Sequence, residues 1–246
     1  MSEGVGVILQ ARMGSTRLPG KVLKLLGGMT LLEYILHRLE SRRRSDPIVV
    51  ATTTDTRNDA VADLCRRAAT ACFRGSEDDV LDRYYHAAVQ YAADVVVRIT
   101  ADCPFIDPAV TDMTVNAYLH RTAPCDGATN TVRRTYPRGL DTEAFPIAVI
   151  RKVWEEAREP SAREHVTPYI YMHPERFTVT DVTQNEDLSH LRWTVDEEAD
   201  LAFAREVYRR LYRPGAVFLM NDIVAVLTKN PALIAINAAV RQKTVS

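Results

Sequence analysis

Residues 9–21 read LQARMGSTRLPGK and follow directly on the apolar run from Val5 to Leu9. Three fixed cations, Arg12, Arg17 and Lys21, share this short stretch with two glycines and two hydroxyl side chains. Backbone amides and side-chain donors of such a loop can converge on an anion with little steric obstruction. In open α/β sheets, ligand sites gather at the carboxyl ends of strands. We therefore interpret the stretch as a phosphate-holding loop whose natural ligand is a nucleoside triphosphate.

Two other interpretations of this loop are weaker. A P-loop has four residues between its glycines and a Ser or Thr after its lysine, whereas five residues separate Gly14 from Gly20 here and Val22 follows the lysine. The loop therefore does not fit a P-loop NTPase. A basic surface turn is the plainer alternative, and the density of cations at the end of the first strand makes it the less favoured one.

Strand and helix patterns alternate outward from this loop. Thr30 and Glu33 fit a capping box, and apolar residues at helical spacing continue to Leu39. Buried-strand patterns at 47–52 and 94–100 are separated by further helical patterns. Repeated strand–helix units predict a Rossmann-like, three-layer α/β domain with a mostly parallel sheet. We expect one domain over residues 1–246, because a chain of this length suits a single α/β core.

Two aspartates follow predicted strands. Asp107 and Pro108 suit a helix N-cap and first turn, which leaves Asp102 in the loop at the carboxyl end of the strand before them. A second strand is predicted over 191–196 and ends at Asp196, with a helix after it that Asp200 would stabilise at its first turn. This position suits a metal ligand, although an acid in such a turn more often forms only an Asx turn.

The middle of the chain has a different pattern. Residues 128–132 and 140–145 resemble two strands around a polar turn, so we predict a small central insertion at about 125–190, an excursion from the core sheet. Earlier, Ser76 is predicted to cap a helix through Tyr91. Later, Ser161 and Glu164 are predicted to cap a helix whose continuity Pro168 interrupts.

Composition excludes several classes of function. Lys and Arg number 31 against 32 Asp and Glu, giving a net charge of −1, so no overall field would attract nucleic acid or an anionic membrane. No run approaches the roughly 20 apolar residues that span a bilayer, and the first residues lack a secretion signal. The four cysteines lack CxxC spacing and are expected to be free thiols. We expect a cytoplasmic protein.

The phosphate-holding loop resembles the N-terminal signature of the cytidylyltransferases that activate acidic sugars such as 3-deoxy-manno-octulosonate and sialic acid. The resemblance is closest to the branch of spore-coat polysaccharide biosynthesis. The matching residues are Ala11, Arg12, Ser15, Arg17, Pro19, Gly20 and Lys21. Residues 102–106 resemble the acidic loop of that family. Residues 192–201 resemble its late Val-Asp-Thr-x-x-Asp-Leu element, with Glu197 in place of the commoner threonine.

The resemblance implies a nucleotidyltransferase that transfers CMP from CTP to an acidic sugar or related anion and releases pyrophosphate. It implies Mg²⁺ on Asp102 and Asp196, and a homodimer formed through the central insertion. The catalytic residues would be Arg12, Lys21, Asp102 and Asp196. The nucleotide-binding residues would be Ala11, Arg12, Gly14, Ser15, Arg17, Lys21, Arg74, Ser76, Asp82 and Arg98. For the last four, a helix cap or a surface ion pair is a comparable interpretation.

The acceptor pocket is predicted from two clusters of recognition-type side chains between the acidic loops. One offers carboxylates and the other offers groups suited to binding a carboxylate. Their members are Asp141, Glu143, Arg163, His165 and Tyr169. Either cluster has a structural alternative, a strand end for the first and a solvated helix face for the second.

Three other functions stay open at this point. A nucleotide-sugar glycosyltransferase uses a similar sheet and acidic loop, but it does not need so dense a triphosphate clamp. Uridylyl- and guanylyltransferases typically open with glycines where Ala11 and Arg12 stand here. A non-catalytic nucleotide-binding regulator is the third alternative, and it has less need of two metal carboxylates.

Overall fold

Parallel strands at the start of the chain build the sheet that positions the site. The structure, a computed structural model, describes residues 3–242; residues 1–2 and 243–246 of the predicted domain lie outside this range. Seven strands of the described chain form one sheet in the order β3-β2-β1-β4-β6-β5-β7. They are β1 (Val5–Gln10), β2 (Ile48–Thr53), β3 (Ala71–Gly75), β4 (Val95–Thr100), β5 (Gly127–Thr129), β6 (Glu143–Pro146) and β7 (Val179–Asp181).

Helices cover both faces of the sheet. Along β1, Val7 and Leu9 face one apolar core while Ile8 faces the other, as the period of a strand requires. The first core is covered by α1 (Leu31–Glu40), α2 (Asp59–Arg67), α4 (Pro108–Leu119), α8 (Glu198–Leu211) and α9 (Met220–Lys229). The second is covered by α3 (Val80–Gln90), α5 (Ile147–Glu156), α6 (Pro160–His165) and α7 (Pro168–Met172). The predicted three-layer α/β class is therefore confirmed.

The strands of the segment 125–190 belong to this same sheet. β1 to β4 are parallel, β6 pairs antiparallel with β4 and β5, and β7 runs parallel to β5. The predicted excursion is thus an extension of the sheet. Ala144 of β6 packs into one core and Phe145 into the other, so these short strands are buried on both faces and lack the clear alternation of an exposed hairpin.

Three local predictions differ from the structure. Residues 191–196 are extended but form only an isolated bridge to Arg138, because their amides bond to loops. α3 begins at Val80 with Asp79 as its N-cap, and the Ser76 hydroxyl accepts from the Asp79 amide one turn earlier. α6 begins at Pro160 with no side-chain cap, so Ser161 does not cap it.

The caps predicted for α1 and α4 are confirmed. Thr30 and Glu33 form a capping box, and Asp107 caps α4 ahead of Pro108. Over residues 3–242, none of the helices combines the length and the apolar character needed to cross a membrane.

Candidate active site

The phosphate-holding loop folds back on itself immediately after β1. The amides of Ser15 and Gly20 both donate to the Met13 carbonyl, each at 3.0 Å, and Gly20 has a left-handed φ of 67° that favours glycine. The Ser15 hydroxyl accepts from the Leu18 amide at 3.3 Å. Ser15 therefore shapes the turn, and its role toward a nucleotide stays a prediction.

The loop touches the neighbouring strand ends. Ala11 is buried and its amide donates to the Ala51 carbonyl of β2 at 3.1 Å. A Cβ placed on Gly14 would lie 3.2 Å from a Glu77 carboxylate oxygen, so the loop passes close to the segment after β3. Both contacts hold the loop at the carboxyl edge of the sheet, where the sequence predicts it.

Lys21 joins the two predicted metal carboxylates. It begins a 3-10 turn, Lys21–Leu23, directly after Gly20. Its Nζ donates to Asp196 Oδ1 at 2.9 Å, to Asp102 Oδ2 at 3.2 Å and to the Val195 carbonyl at 2.8 Å. Three segments that are far apart in sequence therefore meet at one ammonium group.

Lys21 and its two carboxylate partners, Asp102 and Asp196, stabilise one another's charges. Burial by itself would lower the pKa of Lys21, but the carboxylates of Asp102 and Asp196 outweigh it and the pKa lies above its usual value. Burial would raise the pKa of Asp102, but the Lys21 charge and a hydrogen bond from the Thr100 hydroxyl hold it at about 2. Lys21 is therefore a cation and Asp102 an anion at neutral pH.

Two arginines complete the surroundings of Asp196. Its Oδ2 lies 3.0 Å from Arg17 Nη2 and 2.7 Å from Arg192 Nη2. Arg192 also bonds to the fully buried Asp200, whose carboxylate accepts from the amides of Asp196 and Glu197. The predicted role of Asp200 at the start of α8 is confirmed, and Asp200 also fixes the backbone that carries Asp196.

The two carboxylates fit a hard divalent cation as a partial site. Asp102 and Asp196 both lie within 3.2 Å of a single nitrogen, so they already share one cationic group. Within residues 3–242, no group of three or more His, Cys, Asp or Glu side chains is arranged to hold a metal. Mg²⁺ usually takes one or two protein carboxylates and completes its shell with water and substrate phosphates.

A second set of predicted residues meets on the other face of the sheet. Arg98 of β4 and Glu143 of β6 are direct register partners, and Arg98 Nη1 lies 2.5 Å from Glu143 Oε2. The Tyr171 hydroxyl also donates to Glu143. Burial, the Arg98 charge and the Arg12 charge lower the pKa of His165, against the opposing Glu164 carboxylate. The structure therefore groups Arg12, Arg98, Glu143 and His165.

Three predicted nucleotide residues have partners within the protein. Arg74 donates to the carbonyls of Thr53 and Asp55, at 2.9 and 3.1 Å. Ser76 accepts from the Asp79 amide. Asp82 accepts from the Trp154 indole at 2.9 Å. These contacts give each residue a structural role, and their roles toward a nucleotide stay predictions.

Three predicted acceptor residues lie in three different places. Asp141 forms a two-pronged pair with Arg134, at 2.5 and 2.9 Å. Arg163 donates through Nε to Asp79 at 2.9 Å and through Nη1 to the Trp154 carbonyl at 2.8 Å. The Tyr169 hydroxyl donates to Glu156 at 3.0 Å. Asp141 and Arg163 therefore have separate partners within the protein, although both are predicted to line the acceptor pocket.

Sequence reasoning missed the arginines around the late acidic element. Arg192 contacts Asp196 and Asp200, Arg134 contacts Asp141, and Arg138 is paired in register with Arg192. The separations of four and eight residues from Arg192 to its acids were readable in the sequence. Only the fold brings Arg138 to Arg192.

Comparison with known proteins supplies the family. A family model described as Cytidylyltransferase matches residues 6–210. The chain belongs to the cytidylyltransferase family. The spore coat polysaccharide biosynthesis protein SpsF of Bacillus subtilis is 32% identical over 232 residues, covering 91% of this chain and 94% of that protein. The 3-deoxy-manno-octulosonate cytidylyltransferase of Chlamydia trachomatis is 31% identical over 182 residues, covering 70% of this chain and 68% of that protein.

A solved structure agrees over almost the whole fold. A cytidylyltransferase from Leptospira borgpetersenii superposes with a TM-score of 0.91 at 33% identity and covers 98% of this chain and 100% of its own. The resemblance drawn from residues 9–21, 102–106 and 192–201 is thereby confirmed at the level of the family.

Proposed function

We propose that this cytidylyltransferase transfers CMP from CTP to an acidic sugar or a related anionic acceptor and releases pyrophosphate. The observation that carries the proposal is the convergence of Asp102 and Asp196 on Lys21, at the end of the phosphate-holding loop. Carboxylates and fixed cations side by side suit a reaction in which a polyphosphate and a metal ion enter together.

The loop's cations would bind the triphosphate. Arg12, Arg17 and Lys21 would neutralise its charge, and charge that develops on the α-phosphate would be stabilised by the same groups. Arg17 and Lys21 are held at Asp196, so both side chains are already oriented toward the reacting centre. Lys21 has a flexible four-carbon stem that allows its ammonium to follow an incoming phosphate.

Asp102 and Asp196 would hold the magnesium ion. When bound there, Mg²⁺ would polarise the α-phosphate and lower the pKa of the acceptor hydroxyl, so no protein base is required. Asp102 is ionised well below neutral pH, which makes it available as a ligand without loss of a proton. Arg192 and the Asp200 carboxylate would keep Asp196 in place while the cation exchanges.

The acceptor would lie on the β4–β6 side of the centre. The His165 imidazole makes no hydrogen bond or ion pair within residues 3–242, and the charges of Arg98 and Arg12 act on it, so an anionic ligand could bind there. Arg163 and Tyr169 would act indirectly, because their contacts with Asp79 and Glu156 hold α6 and α7 in position. A homodimer, as the resemblance implies, and a cytoplasmic location, as expected from the sequence, remain part of this proposal.

The test is pyrophosphate release. The protein is incubated with each nucleoside triphosphate, with Mg²⁺ or excess chelator, and with 3-deoxy-manno-octulosonate, N-acetylneuraminate or a neutral hexose. The proposal expects release only with CTP, Mg²⁺ and an acidic acceptor. Equal release with all four nucleotides, or with the neutral hexose alone, would contradict it. A CTP complex without any turnover would favour a binding regulator.

A further inference from the structure

Arg138 lies in the turn between β5 and β6, beside the segment that carries Asp196. Its amide donates to the Leu191 carbonyl at 3.0 Å, and the Trp193 amide donates to its carbonyl at 2.7 Å. These bonds place Arg138 opposite Arg192 in a parallel bridge. Register partners in such a bridge project to the same face, so the two arginine side chains leave the backbone side by side.

Gly139 fixes this turn against the Asp196 segment. A Cβ at residue 139 would lie 2.7 Å from the Trp193 carbonyl carbon and 2.9 Å from the Thr194 nitrogen. Gly139 also has a φ of 110°, a conformation that favours glycine. The backbone after Arg138 therefore packs directly against Trp193 and Thr194 of the segment that carries Asp196.

The acids around Arg138 are already engaged by other arginines. Arg192 donates hydrogen bonds to Asp196 and Asp200, and Arg134 donates one to each carboxylate oxygen of Asp141. The Arg138 side chain makes no hydrogen bond or ion pair with any residue between 3 and 242, and it is half-buried.

Like charges make this arrangement unfavourable in the absence of an anion. Burial and the guanidinium groups of Arg134 and Arg192 lower the pKa of Arg138, although Asp141 opposes them. The Arg138 guanidinium has no acid of its own, and its donors are not among the buried, unpaired side-chain atoms of the described residues, so an incoming anion can reach them. An anion bound at Arg138 would satisfy them.

The site lies next to the reacting centre. The Val195 amide donates to the Asp102 carbonyl at 2.7 Å, and the Trp193 amide donates to the Arg138 carbonyl at 2.7 Å. The segment that carries Asp196 therefore connects Arg138 to the acidic loop.

We propose that Arg138 binds the carboxylate of the acidic acceptor and so determines that the enzyme uses acids. This inference rests on the proposed function. A planar guanidinium matches a carboxylate through two parallel hydrogen bonds, which selects for the acid as well as binding it. The triphosphate is the other anion of the reaction, but its cations, Arg12, Arg17 and Lys21, come from the loop after β1, whereas Arg138 comes from the β5–β6 side.

Kinetics of three variants test the inference. Arg138→Gln removes the charge, and Arg138→Lys keeps the charge but loses the planar group that can form two parallel hydrogen bonds. Arg133→Gln is the matched control, because Arg133 lies in the same turn and is exposed. The acceptors are 3-deoxy-manno-octulosonate and N-acetylneuraminate, each beside its methyl ester, and the dissociation constant of CTP is measured by calorimetry. The Arg138 side chain makes no hydrogen bond or ion pair within residues 3–242, so these variants should fold, which thermal melting checks.

We expect Arg138→Gln to raise the acceptor KM by roughly 10- to 100-fold, the scale for losing hydrogen bonds to a charged group. Its CTP dissociation constant should change less than about twofold, Arg138→Lys should be intermediate, and Arg133→Gln should match the wild type. The wild type should discriminate against each methyl ester, and Arg138→Gln should lose most of that discrimination.

Several results would overturn the inference. An unchanged acceptor KM in Arg138→Gln, or a wild type that uses ester and acid equally, would leave the proposed function standing without a role for Arg138. A parallel loss of CTP affinity would assign Arg138 to the triphosphate. If the wild type binds CTP but uses neither acid, the proposed function itself fails, and the inference fails with it.

Discussion

Two charged regions of the molecule contain similar residues arranged for different purposes. The strand-end cluster consists of Arg17, Lys21, Asp102, Arg192 and Asp196, and the α3 shelf consists of Asp79, Asp82, Trp154 and Arg163. In the strand-end cluster, Asp102 follows β4 and Asp196 ends the 191–196 segment. Both carboxylates pair with the ammonium of Lys21.

In the α3 shelf the same residue types satisfy helix ends. Asp79 caps α3, and Arg163 bonds to both Asp79 and the Trp154 carbonyl near the end of α5. Both regions contain predicted site residues: Arg17, Lys21, Asp102 and Asp196 in the strand-end cluster, and Asp82 and Arg163 in the α3 shelf. The two regions differ in position: the strand-end cluster lies at the carboxyl edge of the sheet, where ligand sites of open α/β sheets gather, and the α3 shelf lies at helix ends.

The largest expected effect is on the two acids of the strand-end cluster. Asp102→Asn and Asp196→Asn should each reduce magnesium-dependent turnover by at least roughly 10²- to 10³-fold, because a neutral amide is a poor replacement for a metal carboxylate. Asp63→Asn, which removes only an exposed pair with Arg66 on α2, is the control and should keep near-normal kcat. Steady-state kinetics on folded variants measures this. Near-normal turnover in either cluster variant would remove the distinction between the two regions.

The next largest effect on turnover is expected for Lys21→Ala. We expect turnover to fall by roughly 10²- to 10³-fold, the scale for losing one electrostatic stabiliser. Lys24→Ala, which removes only an exposed pair with Glu198, should have almost no effect. If Lys21→Ala changed only the melting temperature, Lys21 would serve the fold and the strand-end cluster would resemble the α3 shelf.

The third expectation concerns stability at low pH. The pKa of Asp102 is lowered to about 2 in the folded protein and lies near 3.9 in an unfolded chain. Its contribution to the free energy of unfolding, on the order of 2 kcal/mol, should be fully present above pH 4 and should be lost as the pH falls toward 2. Urea unfolding from pH 5 to pH 2 should therefore show a steeper loss in the wild type than in Asp102→Asn. An identical pH dependence of unfolding in the two proteins would contradict the lowered pKa of Asp102.

The smallest effect is expected in the α3 shelf. Arg163→Ala should lower the free energy of unfolding by about 1 to 2 kcal/mol, because a helix-end contact is lost. Its CTP affinity and kcat should stay within a few fold of the wild type. Denaturant unfolding and kinetics on the same preparation separate the two readouts. A large loss of kcat with normal stability would move Arg163 into the reaction centre.

The sequence predicted the residues that follow strands in the regular part of the fold. Lys21 lies in the loop after the first predicted strand, Asp102 lies directly after another predicted strand, and a family resemblance added Asp196. These positions depend on local pattern, so they were accessible without coordinates. The strands of 125–190 were harder to place, because three- and four-residue strands buried on both faces carry little period-two signal.

Contacts that depend on the tertiary fold were not predictable. The neighbourhood of Arg138 and Arg192 requires a bridge across 54 positions of sequence, which Gly139 permits by its lack of a Cβ. Arg163 and Tyr169 have side chains typical of a carboxylate site, yet their partners are Asp79 and Glu156. Composition identified suitable chemical groups, and only the packing of α3 against α5 and α6 assigned their partners.

The central claim is that Asp102 and Asp196, which share Lys21 in this structure, hold a divalent cation together with CTP. Electron paramagnetic resonance of Mn²⁺, a cation with similar oxygen ligands, measures this directly without turnover. In the presence of CTP, the wild type should bind Mn²⁺ in a ternary complex, and the double variant Asp102→Asn/Asp196→Asn should lose that binding while it keeps its fold. Equal Mn²⁺ binding by the wild type and the double variant would contradict the claim.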